Sequence, residues 1–269
     1  MILDIYNDSI KYSIKNSKSI FYLGLTLFST FIIWMVYLLM FINYQDVNLN
    51  IRLGSSIIPF ILLFIPLFLF LGYEYKILKI STHGMINGTD KVPEFNNLKE
   101  MLINGAKIFC VKFIYFIIPT AILAITNINY LNHISGGVIG TIGAIIALIL
   151  GIILYFISSL STANMANYDN FKKAFDMKEI KEIIQNIGII RYILFYIGLL
   201  IIEFLIVFIL STIVMIAMML IGTTISSIAA QPFWWAVFII TNFIFCVIIA
   251  IAEIFRTRGI GLIYEPIEE

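Results

Sequence analysis

Residues 192–221 read YILFYIGLLIIEFLIVFILSTIVMIAMMLI, and Glu203 is the one charged residue among them. A bilayer core of about 30 Å needs about 20 predominantly apolar helical residues to cross it. The stretch is longer than this, so it predicts a membrane-spanning helix that tilts, protrudes or breaks. The composition of the whole chain agrees, because 61% of its residues are hydrophobic and only 12% are charged, a balance that is not typical of soluble domains.

Five other stretches are also long and apolar enough to cross a bilayer. With the first, the predicted spans are 20–42, 56–75, 108–125, 138–160, 192–221 and 232–255. Helices satisfy their own backbone groups, which hydrocarbon cannot do. The predicted fold is therefore all-α, a polytopic membrane bundle of about six transmembrane helices in three hairpins, and we expect a single integral membrane domain over 1–269.

The basic residues fall on one side of the predicted spans. Of the 17 lysines and arginines, Arg52 lies on the other side and Lys112 lies within a span, where we expect it to snorkel to the headgroups. The positive-inside rule then predicts a multi-pass protein of the cell membrane with both termini in the cytoplasm. The opposite connections carry aromatic residues that we expect at headgroup level, namely Tyr44, Tyr130, Trp234 and Trp235.

The two long segments on the basic side resemble each other. Residues 98–104, LKEMLIN, match residues 180–186, IKEIIQN, and each segment leads into a predicted span. This pattern predicts a repeated unit, a short amphipathic helix followed by a helical hairpin. The alternative is that two surface helices share a generic amphipathic pattern.

The N-terminus predicts a third amphipathic helix of the same kind, with an apolar stripe formed by Leu3, Tyr6, Ile10 and Ile14. The predicted pseudo-repeats cover 1–80, 93–165 and 173–258. All three enter the membrane from one side, so they are parallel rather than inverted repeats. Their lysine-bearing helices suggest contact with the lipid bilayer, and possible partners at the cytoplasmic face are an anionic lipid or a protein.

Five short stretches together carry a family resemblance. They read GYEYKILK (72–79), PEF (93–95), ANY (166–168), AFD (174–176) and RTRGIGLIY (256–264). These residues resemble the signature of an archaeal multi-pass membrane family that is catalogued as domain of unknown function 4013. The resemblance covers most of the chain and implies a membrane location and an archaeal origin. It implies no activity, cofactor or catalytic residue.

Glu203 is the residue that we single out as a candidate site. An ionised carboxylate near mid-membrane costs about 2.5–3.5 kcal/mol on insertion scales, and intramembrane acids are often functional. Tyr192 and Tyr196 share its helical stripe, so their hydroxyls outline a proton or cation path towards the acid. The alternative is a protonated Glu203 that hydrogen-bonds to Asn242 or Thr241 and holds two helices together.

Small residues recur at intervals of three and four in the fourth predicted span, at Gly140, Gly143, Ala147 and Gly151. Such a stripe lets a neighbouring helix approach closely, so we expect it to serve helix packing rather than to line a pore.

The sequence contains no motif of the HExxH, CxxC, GxSxG or phosphate-loop type. We therefore expect no metal, no cofactor and no enzymatic activity, and the net charge of +1 argues against a nucleic-acid partner. The favoured function is that of a structural, lipid-associated or partner-binding membrane protein. The alternative is a transporter or channel that uses Glu203, and an intramembrane enzyme would need a second polar group converging on that carboxylate.

Overall fold

The computed structural model describes residues 1–43, 49–131, 136–225 and 231–264. Within these ranges the chain folds into helices without strands. In chain order they are α1 (Ile2–Ser13), α2 (Ser17–Asn43), α3 (Leu49–Ser81), α4 (Leu98–Leu131), α5 (Gly136–Tyr168), a 3-10 helix (Phe171–Phe175), α6 (Met177–Ile187), α7 (Ile189–Ile225) and α8 (Gln231–Ile263).

The six long helices confirm the predicted polytopic bundle. Segments of α2, α3, α4, α5, α7 and α8 are long and apolar enough to cross a membrane, and they are Ser17–Met40, Ile57–Ser81, Leu98–Thr126, Gly140–Tyr168, Ile189–Ile221 and Trp234–Ile263. The fifth span does not break, because α7 is one continuous helix of 37 residues. At 1.5 Å per residue it is about 55 Å long, so it exceeds the hydrocarbon thickness.

The helices are packed most tightly at one end, which we call the terminal half because it holds α1 and the end of α8. Buried core residues such as Tyr75, Val111, Leu160 and Phe255 lie in this half. In the opposite half of α7, by contrast, apolar side chains are exposed, and that of Met219 is 71% exposed. Side chains of this kind face lipid when the helix spans a bilayer.

A buried arginine ties the two ends of the chain together in the terminal half. Arg258 of α8 has a side chain that is only 1% exposed, and its Nε donates to Asp8 Oδ2 of α1 at 2.9 Å. Its Nη2 donates to Asp90 Oδ2 at 2.7 Å, and its guanidinium lies 4.6 Å from the ring centroid of Tyr12. One cation therefore holds α1, α8 and the connection after α3 in place.

The residues of the predicted apolar stripe at the N-terminus are partly buried and partly exposed. Tyr6 is buried and donates to the carbonyl of Phe195 at 2.7 Å, whereas Leu3, Ile10 and Ile14 are exposed. The buried residues of α1 are Ile5, Tyr6, Asp8, Ser9, Tyr12 and Ser13. Among them, Asp8 and Tyr12 contact Arg258.

The short helix predicted over 98–104 is not a separate element, since these residues form the first turns of α4. The matching residues 180–186 do form most of a separate helix, α6, which ends at Gly188 with φ 89°. Such a conformation suits glycine and interrupts the helix before α7 begins. In α4 the position that corresponds to Gly188 is Ala106, which stays helical, and the preceding Gly105 packs against α3, so the chain continues without a break. The internal repeat stays a prediction.

Helices α3 and α4 approach each other closely at two glycines. A Cβ atom built on Gly72 would lie 1.9 Å from the carbonyl oxygen of Met101, and one built on Gly105 would lie 1.8 Å from that of Phe68. Each glycine thus lets the backbone of the facing helix fit where a side chain would stand. This crossing fixes α3 and α4 as a pair in the terminal half.

Candidate functional site

The carboxylate of Glu203 lies beside an arginine from the neighbouring helix. Its Oε1 is 3.9 Å from Nη1 of Arg256 on α8, and the two side chains are 21% and 18% exposed. The predicted site residue thus has a charged partner that sequence reasoning did not identify. In the sequence, Arg256 is notable only as one of the basic residues and as the first residue of RTRGIGLIY.

Arg256 links three helices through its guanidinium. Its Nη2 forms an ion pair with Oε1 of Glu253, one turn earlier in α8. Its Nη1 also donates to the hydroxyl of Tyr155 on α5 at 3.1 Å. Glu203 of α7 completes the set, so α5, α7 and α8 meet at this cation.

A second ion pair lies between α3 and α4. Lys112 Nζ donates to both carboxylate oxygens of Glu74, at 2.9 and 2.8 Å, and the side chain of Glu74 is 5% exposed. The prediction that Lys112 snorkels to the headgroups is therefore wrong, because a buried carboxylate holds it. Glu74 is also within electrostatic range of Glu203 and Arg256, which joins the two pairs into one group.

This group is the charge cluster, and it consists of Glu74, Lys112, Tyr155, Glu203, Glu253 and Arg256. It contains three carboxylates and two bases. Lys112 pairs closely with Glu74 and Arg256 with Glu253, so Glu203 is the carboxylate without a base of its own. An unmatched charge away from water is costly. The cluster is therefore electrically balanced when Glu203 carries a proton or when a further cation binds beside it.

The two tyrosines predicted to line a path to Glu203 behave differently from each other. The hydroxyl of Tyr192 donates to the carbonyl of Phe156 at 2.8 Å, so it is committed to joining α7 to α5. Tyr196 is fully buried, and its hydroxyl faces the side-chain hydroxyls of Tyr192 and Ser159. Its ring centroid lies 4.8 Å from those of both Tyr192 and Phe156.

The other predicted partners of Glu203 are engaged on their own helix. Asn242 donates to the carbonyl of Phe238 at 2.8 Å, and Thr241 donates to that of Val237 at 2.7 Å. The hydrogen bond from Asn242 or Thr241 to Glu203 that the sequence suggested is thus replaced by the contact with Arg256. The reason is that both short side chains reach the carbonyl four residues earlier in their own helix.

The small-residue stripe of α5 packs at some positions but not at all of them. A Cβ atom on Gly143 would lie 2.0 Å from Cγ2 of Thr126, and Ala147 is buried. At Gly140 the nearest such contact is the Thr126 carbonyl oxygen at 3.9 Å, and at Gly151 no atom lies within 4 Å. The packing prediction therefore fits Gly143 and Ala147, while Gly151 faces open space.

Comparison with known protein families identifies the family of this chain. The family described as Protein of unknown function (DUF4013) matches residues 56–219, which is more than half of the chain. The chain belongs to this family. No curated protein and no solved structure matches the chain. The DUF4013 match includes Glu74, Lys112, Tyr155 and Glu203, whereas Arg256 lies beyond it.

A cleft between α4, α5 and α7 of the DUF4013 chain adjoins the charge cluster. We call it the lateral cleft, and its volume is about 320 Å³. It is lined mainly by apolar side chains, and those of Leu148 and Ile152 are exposed, so it opens on the side of the bundle. Gly151 and Tyr155 also line it. Tyr155 therefore belongs both to the cleft and to the cluster.

Among the described residues of the DUF4013 chain, no three His, Cys, Asp or Glu side chains are grouped so that they could hold a metal ion. The sequence does contain a weak signal for the cluster, because GYEYKILK at 72–79 includes Glu74. Glu253 and Arg256 are spaced as an i, i+3 ion pair. Neither signal indicates which helices meet.

Proposed function

We propose that this DUF4013 protein is a membrane transporter in which the charge cluster takes up and releases a proton or another small cation at Glu203. The observation that carries this proposal is the imbalance of three carboxylates against two bases at a point where several helices meet. Intramembrane ionisable groups of this kind mark ion pathways and proton relays. We propose binding and transport rather than catalysis.

The geometry supports a coupling between the charge state of Glu203 and the arrangement of the helices. When Glu203 is ionised, it attracts Arg256, which also holds Tyr155 and Glu253. When Glu203 is neutral, that attraction is lost while the other two contacts of Arg256 remain. Loading and unloading of Glu203 thus changes how strongly α7 is held against α5 and α8. A difference of this kind between two states is what ligand-driven conformational change requires.

The test uses purified protein in liposomes that contain a pH-sensitive dye, with proton flux driven by a potassium diffusion potential. We expect Glu203→Gln to abolish the flux while the melting temperature stays close to that of the wild type. The matched control is Glu182→Gln, since Glu182 lies on α6 outside the charge cluster. The proposal is contradicted if liposomes with the Glu203→Gln variant show the same proton flux as those with the wild type. It is also contradicted if wild-type liposomes show no more proton flux than protein-free liposomes.

The second candidate is the function favoured by the sequence, that of a structural, lipid-associated or partner-binding protein. One observation favours it, namely that Leu3, Ile10 and Ile14 of α1 are exposed although the helix is fixed to the bundle by Arg258. An amphipathic surface with Lys11 nearby suits contact with anionic lipid or with a protein partner. On this proposal Glu203→Gln is silent, whereas Gly143→Leu disrupts the bundle.

We further propose that the protein lies in the cell membrane with both termini in the cytoplasm. The support is the distribution of basic residues together with the contact between Arg258 and Asp8, which keeps both ends of the described chain at the same end of the bundle. The three units 1–80, 93–165 and 173–258 are then parallel repeats that enter from that side.

A further inference from the structure

We propose that α1 and the first turns of α7 together form a surface that binds anionic lipid of the bilayer. We call this surface the α1–α7 face, and its apolar residues are Leu3, Ile10, Ile190, Leu194 and Ile197. The inference goes beyond the proposed transport, and it names one partner for the second candidate function. Three features carry it, namely the contact that joins the two helices, the continuation of the face into the span of α7 and the cations beside it.

Tyr6 joins the two helices that form the α1–α7 face. Its hydroxyl donates to the carbonyl of Phe195 at 2.7 Å, and the two rings are stacked with their centroids 5.5 Å apart. A Cβ atom on Gly198 would collide with the same hydroxyl, so the glycine leaves room for the tyrosine. Helix α1 therefore lies directly against the first turns of α7.

Exposed apolar side chains flank this contact on both helices. On α1, Leu3 precedes Tyr6 by three residues and Ile10 follows it by four, and both are exposed. On α7, Leu194 precedes Gly198 by four residues and is exposed as well. Residues three and four apart are neighbours on a helix surface. The exposed residues of the two helices therefore belong to one apolar surface rather than to two separate patches.

The α1–α7 face continues into the side of the span that faces lipid. A row of exposed apolar side chains follows α7 at intervals of three and four, and it consists of Ile190, Leu194, Ile197, Ile201, Phe204 and Phe208. Exposed apolar residues of α7 extend as far as Met219, so they cover about 44 Å from Ile190 at 1.5 Å per residue. The hydrocarbon layer is only about 30 Å thick. The occupant that this continuity favours is lipid, with the first turns of α7 at the level of the headgroups.

The cations beside the α1–α7 face suit headgroups that carry a negative charge. Four exposed basic residues lie on α1, on the start of α2 or on the first turn of α7, and they are Lys11, Lys15, Lys18 and Arg191. None of them forms an ion pair within the ranges that the structure describes. The exposed Asp4 of α1 is paired with the N-terminal amine at 2.6 Å. An apolar helix face with free lysines next to it is typical of helices that bind anionic membranes.

The apolar and the basic residues contribute differently to this binding. Burial of apolar side chains in the bilayer is favourable whatever the headgroup, whereas the lysines respond to its charge. One lysine near an anionic surface favours binding by roughly fivefold. Salt weakens this attraction, since the Debye length falls from about 10 Å at 0.1 M to about 3 Å at 1 M. The α1–α7 face therefore contacts any bilayer but prefers anionic lipid, and high salt removes the preference.

The experiment uses the full-length protein in liposomes that contain equal amounts of phosphatidylcholine and phosphatidylglycerol. Cys110 and Cys246 are replaced by alanine, and a single cysteine at Ile10 or Ile190 carries the fluorophore NBD. We expect lipid with a nitroxide on its acyl chain to quench both labels, and iodide in the water to leave them unquenched. A label at Asp4 is the matched control, because this side chain is 59% exposed on α1 but lies outside the apolar residues of the face. Iodide is expected to quench it.

The preference for anionic lipid is measured with the label at Ile10, by comparing nitroxide phosphatidylglycerol with nitroxide phosphatidylcholine. We expect a relative association constant of about five at low salt and of about one at about 1 M salt. One triple variant, expected to lose the preference, removes the lysines beside the face through Lys11→Gln, Lys15→Gln and Lys18→Gln. The matched control removes three exposed lysines on or just before α6 through Lys172→Gln, Lys178→Gln and Lys181→Gln, and it is expected to keep the preference.

Four outcomes overturn the inference. Quenching of the Ile10 and Ile190 labels by iodide alone indicates a surface in water that is open to a protein partner. Protection of both labels from both quenchers indicates that a second copy of the chain covers the face. Equal quenching by the two nitroxide lipids at low salt shows that headgroup charge has no effect. Loss of the preference in the control triple variant assigns it to the whole basic side of the protein.

Failure of this inference is distinguishable from failure of the proposed transport. The substituted residues are exposed and lie outside the charge cluster, so proton flux that depends on Glu203 can be measured in the same liposomes. Flux without a preference for anionic lipid overturns the α1–α7 face alone. A preference for anionic lipid in a protein without flux overturns the transport proposal alone.

Discussion

Arg258 and Asp8 are 250 residues apart in sequence, and a hydrogen bond of 2.9 Å from Nε to Oδ2 joins them in a fully buried position. The contact is shared, because Asp8 Oδ1 also accepts from the backbone N–H of Asn87 at 3.0 Å. The first helix, the last helix and the connection after α3 thus depend on one ion pair. This dependence can be measured directly.

Replacement of Asp8 by Asn is expected to lower the free energy of unfolding by about 3–5 kcal/mol, because the variant leaves Arg258 buried with an incomplete set of carboxylates. Thermal unfolding in detergent, followed by circular dichroism, checks this. Asp4→Asn on the same helix is the control, and it is expected to leave the melting temperature nearly unchanged because the Asp4 side chain is 59% exposed. Equal melting temperatures for the two variants contradict the prediction.

The ion pair between Glu74 and Lys112 gives a second prediction. Lys112→Met leaves a buried carboxylate without its cation and is expected to cost about 3–5 kcal/mol. The double variant Glu74→Gln with Lys112→Met removes both charges and is expected to recover most of that loss. A double-mutant cycle of unfolding free energies measures the coupling. Additive single effects indicate that the two side chains do not interact.

The crossing of α3 and α4 predicts that Gly72→Ala is destabilising, since the new Cβ atom would stand 1.9 Å from the carbonyl oxygen of Met101. Overpacking of this kind typically costs about 1–3 kcal/mol, and here a backbone atom has to move. Gly151→Ala is the matched control because no atom lies within 4 Å of its added Cβ. Apparent melting temperatures in detergent are compared, and a Gly72→Ala variant as stable as Gly151→Ala is the contrary result.

The carboxyl group of Asp169 is expected to make the folded protein less stable as the pH falls into the acidic range. Hydrogen bonds from Lys79 and then Tyr75 hold the pKa of its carboxyl below the ordinary value. A depressed pKa in the folded state stabilises the protein above the ordinary value, and this contribution is lost as the pH falls through the folded pKa. The contribution is small because the Asp169 side chain is 53% exposed.

Melting curves from neutral pH down to about pH 3 measure this effect. Asp169→Asn is expected to be slightly less stable than the wild type at neutral pH, and the difference is expected to vanish in acid. A constant difference at every pH assigns the effect to something other than the charge of Asp169.

The proposed orientation is tested by labelling single cysteines with a membrane-impermeant maleimide, in a background in which Cys110 and Cys246 are replaced by alanine. Cysteines at the exposed positions Lys11 and Lys178 are expected to react only after the cells are opened. A cysteine at Trp235, which is 62% exposed, is expected to react in intact cells. The reverse pattern contradicts the orientation.

The helices of this protein could be predicted from the sequence, whereas the charge cluster could not. The sequence signal of a membrane-spanning helix is local, because a run such as 192–221 is apolar whichever helices surround it. Glu74, Glu253 and Arg256 lie near the ends of their spans, where charges are ordinarily solvated or snorkel, and only the packing of the helices brings them together. Glu203 could be singled out because it stands alone in its span, but its partner could not be named.

The contacts between helices could also be predicted only in part from the sequence. The spacing of small residues in α5 predicted a continuous packing surface, yet Gly151 borders a cleft. Close contacts between helix backbones instead involve one glycine on each of α3 and α4. Spacing indicates where a helix can be approached closely. It does not indicate which neighbour approaches, because that depends on the whole bundle.

The link from Asp8 to Arg258 also sets an order of events during synthesis. A ribosome adds about 5–20 residues per second, so the 250 residues between the two partners take roughly 10–50 s to make. Throughout that interval Asp8 and Tyr12 have been translated while their guanidinium partner has not. The nascent protein therefore cannot complete its first helix's native contacts until its last span has emerged, and a chain truncated before Arg258 leaves α1 undocked.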